Sequence, residues 1–428
     1  MNICVYTLGC RLNQCESEAI ASSFVSEGFT VVDENSGAEL YIVNTCTVTG
    51  KAEQKARRMI RLFAARDSYV VVTGCYAQMA QEELEKLSDR VLVVPLVKKA
   101  ALLQLAKHIN SAFAGGMDLG EALSSFTETD AGVFDYEASS FSYHSRAYLK
   151  VQDGCDNECG YCRVHVARGK SVSLDRNLVI ERALELEERG FNEIVLTGVN
   201  LTMYDHEGDG LGGMMLALIP RLRDTTRLRL SSMEPDHIDE ALIEACSSHK
   251  VHPHFHIPLQ SASDKVLRRS NRKYSRSHLE WVLSQLRRVK DDPFIACDVI
   301  AGLPAEGEAE FRETYEFLKD NRFAAMHVFP FSPRPDTPLW GARDKAEERV
   351  RDERAKLLRE LSKQLSDEYT GRQKGRTLEV LLETRKDGFW YGTTGNYLKV
   401  KVANAPAFSS RGQILSGRLE KPGLLVLD

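Results

Sequence analysis

The chain predicts an α/β protein in three parts. These are an N-terminal open parallel-sheet α/β domain, a central partial (β/α)6 barrel, and a small antiparallel β-barrel at the C-terminus. Three observations carry this reading. Short β-branched runs alternate with helical stretches over residues 1–112. A second series of six strand–helix repeats starts near Arg146. After residue 370 apolar and polar residues alternate between Gly-rich turns. With 428 residues the chain is long enough for two or three domains with their own cores.

In the first part, NICVYTL, LYIVNT and YVVVTG read as buried parallel strands, each followed by a helix, at about 13–27, 49–66 and 78–87. VLVVPL adds a fourth strand, and a helix near 98–110 closes the domain at about residue 112. Residues 113–145, with GGMDLGEALSSFTETDAG, have the composition of a linker. In 146–370 the strands are AYLKVQD, EIVLTGV, RLRLSSM, HFHIPL, FIACDVIAGL and AAMHVFPFS. Amphipathic helices such as NLVIERALELEERG lie between them, and a charged helix at about 344–370 follows. In 371–428, TLEVLLET, FWYGTTGNYLKVKV, GQILSGRLE and LLVLD supply the last barrel.

Composition is that of a soluble protein, 43% hydrophobic and 27% charged, and no apolar run is long enough to span a bilayer. The start, MNICVYTLGC, lacks a basic leader and reads as a strand, so a cytoplasmic location is expected. Net charge is −5, yet residues 372–428 carry ten Lys/Arg against five Asp/Glu. A basic tail on an acidic body suggests a polyanionic partner.

Ten cysteines are present. Cys10, Cys46 and Cys75 each follow a strand, in VYTLGC, IVNTC and VVTGC. In an open parallel sheet the carboxyl ends of the strands share one edge, so these three can converge although far apart in sequence. Cys155, Cys159 and Cys162 form a C-x3-C-x2-C run after the first barrel strand, at the face where barrels bind ligands. Thiolates suit zinc or iron–sulfur clusters. With His165 three residues after Cys162, a closed zinc site is one reading; a cubane cluster with one iron left open is the other. Cys4, Cys15, Cys246 and Cys297 read as ordinary buried residues.

The C-x3-C-x2-C run, with Tyr161 before its last cysteine, resembles the radical S-adenosylmethionine superfamily. Together with TLGCRLNQCESE, NTCTVTGKAEQKARRMIR, TGCYAQ, LTGVN, RLSSMEP, HIPLQS, NRKY, DVIAGLP and HVFPFSPRPDTP, it resembles the methylthiotransferases of that superfamily over nearly the whole chain. NTCTVT and its basic helix most resemble the branch acting on N6-threonylcarbamoyladenosine (t6A) beside the tRNA anticodon. Relatives act on isopentenyladenosine in tRNA or on a ribosomal protein aspartate. Outside this class stands a zinc-containing RNA-binding protein without redox chemistry. The sequence departs from the family pattern at His165 (usually Pro), Ala262 (usually Gly) and Gly307 (usually a hydroxyl residue).

The resemblance implies two [4Fe-4S] clusters, one on Cys155, Cys159 and Cys162 that chelates S-adenosylmethionine, the other on Cys10, Cys46 and Cys75. It also implies a methylthio group inserted at C2 of the adenine at tRNA position 37, an electron donor of flavodoxin or ferredoxin type, and a C-terminal TRAM domain that binds RNA. A monomer is expected. Residues at barrel strand ends are candidates for cofactor contacts: Gly198 and Asn200 for the methionine part, Ser232 and Glu234 for the ribose, and Gln260 at the mouth, with Tyr161 beside the cluster. His254 and His256 alternate with Phe255, leaving open a barrel-facing or a packed role. The tRNA anticodon stem-loop is expected to meet KVLRRSNRKYSR, with Arg268, Arg269, Arg272, Lys273 and a stacking Tyr274. Basic residues of 54–66 are a further candidate surface, as are Lys374, Arg376, Lys399 and Lys401 with Phe389, Trp390 and Tyr391.

Overall fold

A computed structural model describes residues 1–127, 132–136 and 145–427. The chain divides into two compact units. The first takes residues 1–143 with 153–156 and 162–170; the second holds 144–152, 157–161 and 171–428.

The sheet of the first unit is wholly parallel. Its strands are β1 (Asn2–Thr7), β2 (Thr30–Val31), β3 (Leu40–Thr45), β4 (Tyr69–Gly74) and β5 (Val91–Val93), in the order β2-β1-β3-β4-β5. Strand order reverses beside β1, which opens a crevice beyond the carboxyl ends of the central strands. The apolar run of β3 is required because the strand is central and covered on both faces. Ile42 packs with Ile3, Val71, Phe24 and Ile109 on one side; Tyr41 and Val43 pack with Val70, Val72, Ile60 and Phe63 on the other. Helix α1 (Arg11–Ser26) follows β1, and α2 (Gly50–Ala64) follows β3 behind an N-cap in which Thr49 accepts from the Ala52 amide.

Part of 113–145 is not a linker. Leu119–Ser124 is a helix closed by a capping box, with Asp118 accepting from the Glu121 amide and Glu121 from that of Asp118. Its polar composition hides one short apolar stripe, Ala122 and Leu123, which is buried. The part of the expected linker at 128–131 and 137–144 lies outside the described residues.

The second unit begins with six parallel strands in sequential order. They are β6 (Ala147–Lys150), β7 (Glu193–Thr197), β8 (Arg227–Leu230), β9 (His254–Gln260), β10 (Phe294–Ala301) and β11 (Ala325–Pro330). Only the isolated bridges Leu228–Val251 and Ser232–His256 join β8 to the strand beyond it. Phe255, Ile257, Leu259, Cys297 and Val299 are fully buried on the outer face. By the two-residue period of a strand, His254 and His256 both lie on the inner face.

The last barrel is closed, with β12 (Thr377–Lys386), β13 (Phe389–Thr394), β14 (Lys399–Ala403), β15 (Ile414–Lys421) and β16 (Leu424–Leu427). It differs from the expected antiparallel form at one pair, β14 with β16, which is parallel. Strands that alternate up and down cannot close a ring of odd number without one such pair.

This barrel seals the base of the larger one through a buried ion cluster. The Arg229 guanidinium, without exposed surface, meets Glu193 at 2.8 and 3.1 Å and donates to the carbonyls of Gly395 at 3.0 Å and Thr394 at 3.3 Å. Glu193 also takes Arg146 at 3.0 Å and His252 at 3.0 Å. Burial pushes the Glu193 carboxyl up, but Arg229, Arg146 and His252 outweigh it and hold the group well below the usual range. Burial, then Arg229, push His252 below its ordinary value.

Both shifts have the same consequence. A folded-state value below the unfolded one gives stability above the unfolded value that is lost as pH falls. Chemical denaturation of the protein should therefore show stability dropping as pH is lowered through about 6.5, the ordinary histidine value. A His252→Gln variant should show a smaller drop; an unchanged profile would remove His252 from the linkage.

Candidate functional site

In the first unit the carboxyl ends of β1, β3 and β4 lie side by side, with Thr7 opposite Asn44 and Thr45 opposite Gly74. Cys10, Cys46 and Cys75 stand just past these ends and form one group. Burial, then the neighbouring Cys75 and Cys10 thiols, push Cys46 up to about 12. Cys10 is exposed; Cys46 and Cys75 are buried.

Two glycines make this approach possible. Gly9 has φ of 106°, and a Cβ there would lie 2.8 Å from Cβ of Cys46. Gly74 has φ of 98°, and its Cβ would meet the Thr45 carbonyl at 2.4 Å. Both dihedrals are in the region that favours glycine. The Gly-Cys pairs in TLGC and TGC are thus a structural requirement of the thiol edge, a signal that strand-end counting alone passes over.

A buried charge network backs the thiols. Arg168 ends the short helix Val164–Arg168. Its Nε donates to Cys75 Sγ at 3.4 Å, and its other nitrogens donate to Asp153 at 2.9 Å, Glu16 at 3.1 Å and Asn13 at 2.8 Å. Lys99, fully buried, pairs with the same Glu16. Asn13 also donates to the carbonyls of Leu8 and Thr45, tying α1 to both strand ends.

The donor set suits a polynuclear iron group. Thiolates are soft ligands, and an arginine N–H aimed at a ligand sulfur is the kind of contact that tunes such clusters. Among the described residues no three cysteine sulfurs lie mutually within 4.8 Å. A single zinc ion would draw its sulfurs to roughly 3.8 Å apart.

The cysteine-rich loop is shared out between the units. Cys155 and Cys162 belong to the first. There the Cys155 amide donates to the Gly169 carbonyl at 3.1 Å, and the Val164 amide to Cys162 Sγ at 3.3 Å. His165 forms no compact ligand set with these two: no group of three within 4.8 Å includes it among the described residues.

Cys159 and Tyr161 belong to the second unit, at the carboxyl end of the barrel. The Gly160 amide donates to the Ser270 carbonyl at 2.9 Å, and the Leu339 amide to the Gly160 carbonyl at 2.8 Å. Asn157 reaches Asp236 at 3.2 Å.

Arg272 organises this end, which corrects its expected role. It is not a surface contact for RNA but a buried group. It donates to Cys159 Sγ at 3.2 Å, Tyr161 Oη at 3.1 Å, the Pro258 carbonyl at 3.0 Å and Tyr274 Oη at 2.9 Å, and it pairs with Glu234. A buried guanidinium must fill its donors internally, and these five partners do so. Tyr274 is buried too and donates to the carbonyls of Pro258 and Leu259, so it is not available for stacking. Charge counting in KVLRRSNRKYSR could not separate the inward Arg272 from the outward Arg268, Arg269 and Lys273, which are exposed. Arg269 pairs with Asp344.

Of the cofactor candidates, Tyr161 lies in the cysteine loop, while Gly198, Asn200, Ser232, Glu234 and Gln260 end or closely follow barrel strands. A Cβ on Gly198 would be 2.7 Å from Gln152 Oε1, and the Asn200 amide donates to that oxygen at 2.9 Å. Ser232 bridges to His256, and Gln260 ends its strand with φ of 60°. Glu234 is engaged by Arg272.

On the C-terminal barrel, Phe389 and Tyr391 are exposed on one face of a strand, with Lys401 Nζ 3.3 Å over the Phe389 ring. Lys374 is exposed; Arg376 pairs with Asp291 and Asp292.

An open parallel sheet with a thiol edge, joined to a six-strand partial barrel with a three-cysteine loop, defines a radical S-adenosylmethionine enzyme with an added N-terminal domain. Family models bear this out. Residues 149–318 match the Radical SAM superfamily, and residues 2–95 match Uncharacterized protein family UPF0004. A threonylcarbamoyladenosine tRNA methylthiotransferase MtaB of Treponema pallidum is 36% identical, over 99% of this chain and 99% of its own. The protein of that name from Aquifex aeolicus is 35% identical, over 94% and 96%. The chain therefore belongs to the radical S-adenosylmethionine methylthiotransferase family, in the MtaB group. The fold also matches the radical S-adenosylmethionine methyltransferase TsrM of Kitasatospora setae, with TM-score 0.56 at 13% identity, over 79% of this chain and 77% of that one. Membership implies a [4Fe-4S] cluster and S-adenosylmethionine.

If the glycines set the thiol edge, Gly74→Ala should fold yet bind less iron. After anaerobic reconstitution, iron per chain should fall by about half, while S-adenosylmethionine cleavage persists. Full iron content would show that the edge tolerates a side chain there.

Proposed function

We propose that this enzyme inserts a methylthio group at C2 of t6A at tRNA position 37. The observation that carries it is the meeting of Cys10, Cys46 and Cys75 on one sheet edge, a second thiol site in a chain that already has the three-cysteine loop. The substrate follows from the near full-length similarity to relatives named for it. In this reading Cys155, Cys159 and Cys162 hold one [4Fe-4S] cluster, and Cys10, Cys46 and Cys75 hold another. When bound, these groups supply one-electron cleavage of S-adenosylmethionine and the sulfur to be transferred.

The protein's own residues position and insulate. Arg272 holds Cys159, Tyr161 and Glu234 at the barrel mouth through bonds that leave the guanidinium no conformational freedom. Arg168 plays the matching part for Cys75. Both sulfurs receive an N–H from a buried cation, which stabilises negative charge on the thiolate. Phe389 and Tyr391 offer flat apolar faces for the unpaired bases of an anticodon loop, and Lys374, Lys399 and Lys401 offer charge to its phosphates. A flavodoxin or ferredoxin type donor would supply the electron.

Two measurements test this. Cys159→Ala should abolish S-adenosylmethionine cleavage, whereas Cys46→Ala should retain cleavage and lose sulfur insertion. Normal product from Cys46→Ala would remove the second thiol site from the reaction. Mass spectrometry of tRNA nucleosides from a deletion strain should show methylthiolated t6A gone and t6A accumulated. Loss of methylthiolated isopentenyladenosine instead would overturn the substrate.

A further inference from the structure

The inner face of the barrel carries a polar cluster that the reading above does not use. His256, Asp298 and His327 stand on three successive strands, β9, β10 and β11, and their ligand atoms lie within 4.8 Å of one another. His327 is directly opposite Asp298 in register. Asp298 Oδ1 is 3.1 Å from His327 Nδ1 and 2.9 Å from His256 Nε2, and the two rings meet edge to face at 5.0 Å. Burial pushes the Asp298 carboxyl up, but the close His256 ring and the His327 hydrogen bond outweigh it and hold the group ionised well below the usual range.

The cluster ends in an accessible group. The His327 side chain is 57% exposed, although its strand neighbour Met326 is buried. Phe329, two residues on and on the same face, is 39% exposed. Two other cations of this unit, Arg229 below and Arg272 above, are enclosed by their partners. Arg229 is held by Glu193 and two carbonyls, and Arg272 by Glu234 and a cysteine sulfur. An imidazole backed by a carboxylate, next to an exposed aromatic ring, suits an anionic group carried on a flat base.

We propose that His327, oriented by Asp298 and His256, is a specificity-determining residue that receives the carboxylate of the substrate's N6 substituent, so that the enzyme selects adenosines carrying an amino acid over those carrying a neutral chain. This rests on the tRNA reading above and adds the group that enforces the choice. Loss of one charge-assisted N–H to carboxylate bond is expected to cost about tenfold or more in affinity, about 1.4 kcal/mol per tenfold.

The test uses the reconstituted enzyme and three anticodon stem-loops, with t6A, its methyl ester, or isopentenyladenosine at position 37. Wild type should bind the t6A stem-loop about tenfold or more tightly than the ester. His327→Phe should bind both equally, at the ester's level, and still cleave S-adenosylmethionine. Asp298→Asn should lose part of the preference. Equal weakening of both stem-loops by His327→Phe, or an undiminished preference, would overturn the inference while leaving the substrate reading intact. A preference that vanishes with EDTA and returns with added Zn2+ would also overturn it, since an ion on the trio would then be the receiver. A wild type that ignores t6A and modifies isopentenyladenosine would overturn both readings.

Discussion

The first unit depends on one guanidinium. Arg168 is almost without exposed side-chain surface, and it joins α1, the segment after β6 and the thiol edge by direct hydrogen bonds. Removing it would take a guanidinium partner from two buried carboxylates, Glu16 and Asp153. A buried carboxylate stripped of its partner is among the most destabilising changes a protein can suffer. The network therefore couples the fold of the sheet edge to the presence of the segment that carries Cys162. Structural integrity and the placement of the Cys162 segment become one requirement.

The second unit repeats the device in layers. At the base Arg229 satisfies Glu193 and two carbonyls of the C-terminal barrel. Above it His254 lies 4.1 Å from the Tyr397 ring. The His256, Asp298 and His327 layer comes next, and Arg272 spans the top. A partial barrel lacks the mutual packing of a closed one, and its interior is correspondingly polar. The Arg229, Asp298 and Arg272 layers each offset the cost of buried polarity by pairing.

Much of this was legible in the sequence. The strands announced themselves because buried parallel strands need continuous apolar runs; five of the six barrel strands fall within the segments so identified, and His254–Gln260 runs one residue past its segment. The convergence of Cys10, Cys46 and Cys75 was legible because residues that follow parallel strands share one sheet edge. Other features were not, for definite reasons. Arg272 sits in a basic run, and a one-dimensional charge count carries no inward or outward direction. The Leu119–Ser124 helix is shorter than the periodicity needed to detect it. Arg168 contacts residues 15 to 155 positions away, and no local pattern marks such a partner set. His327 lies in HVFPFS, whose apolar context hid the register that sets it against Asp298.

The bond from Arg229 to the carbonyls of Thr394 and Gly395 bears on how such proteins diversify. A charged side chain in a barrel whose neutralisation is completed by another barrel's backbone makes the two inheritable only as a pair. Recombination that exchanged the terminal module for an unrelated one would leave that cation with Glu193 alone of these partners, two of its N–H groups having lost their carbonyls. Variation in the terminal barrel is therefore freer at its loops and exposed rings than at the Thr394–Gly395 turn that meets the guanidinium.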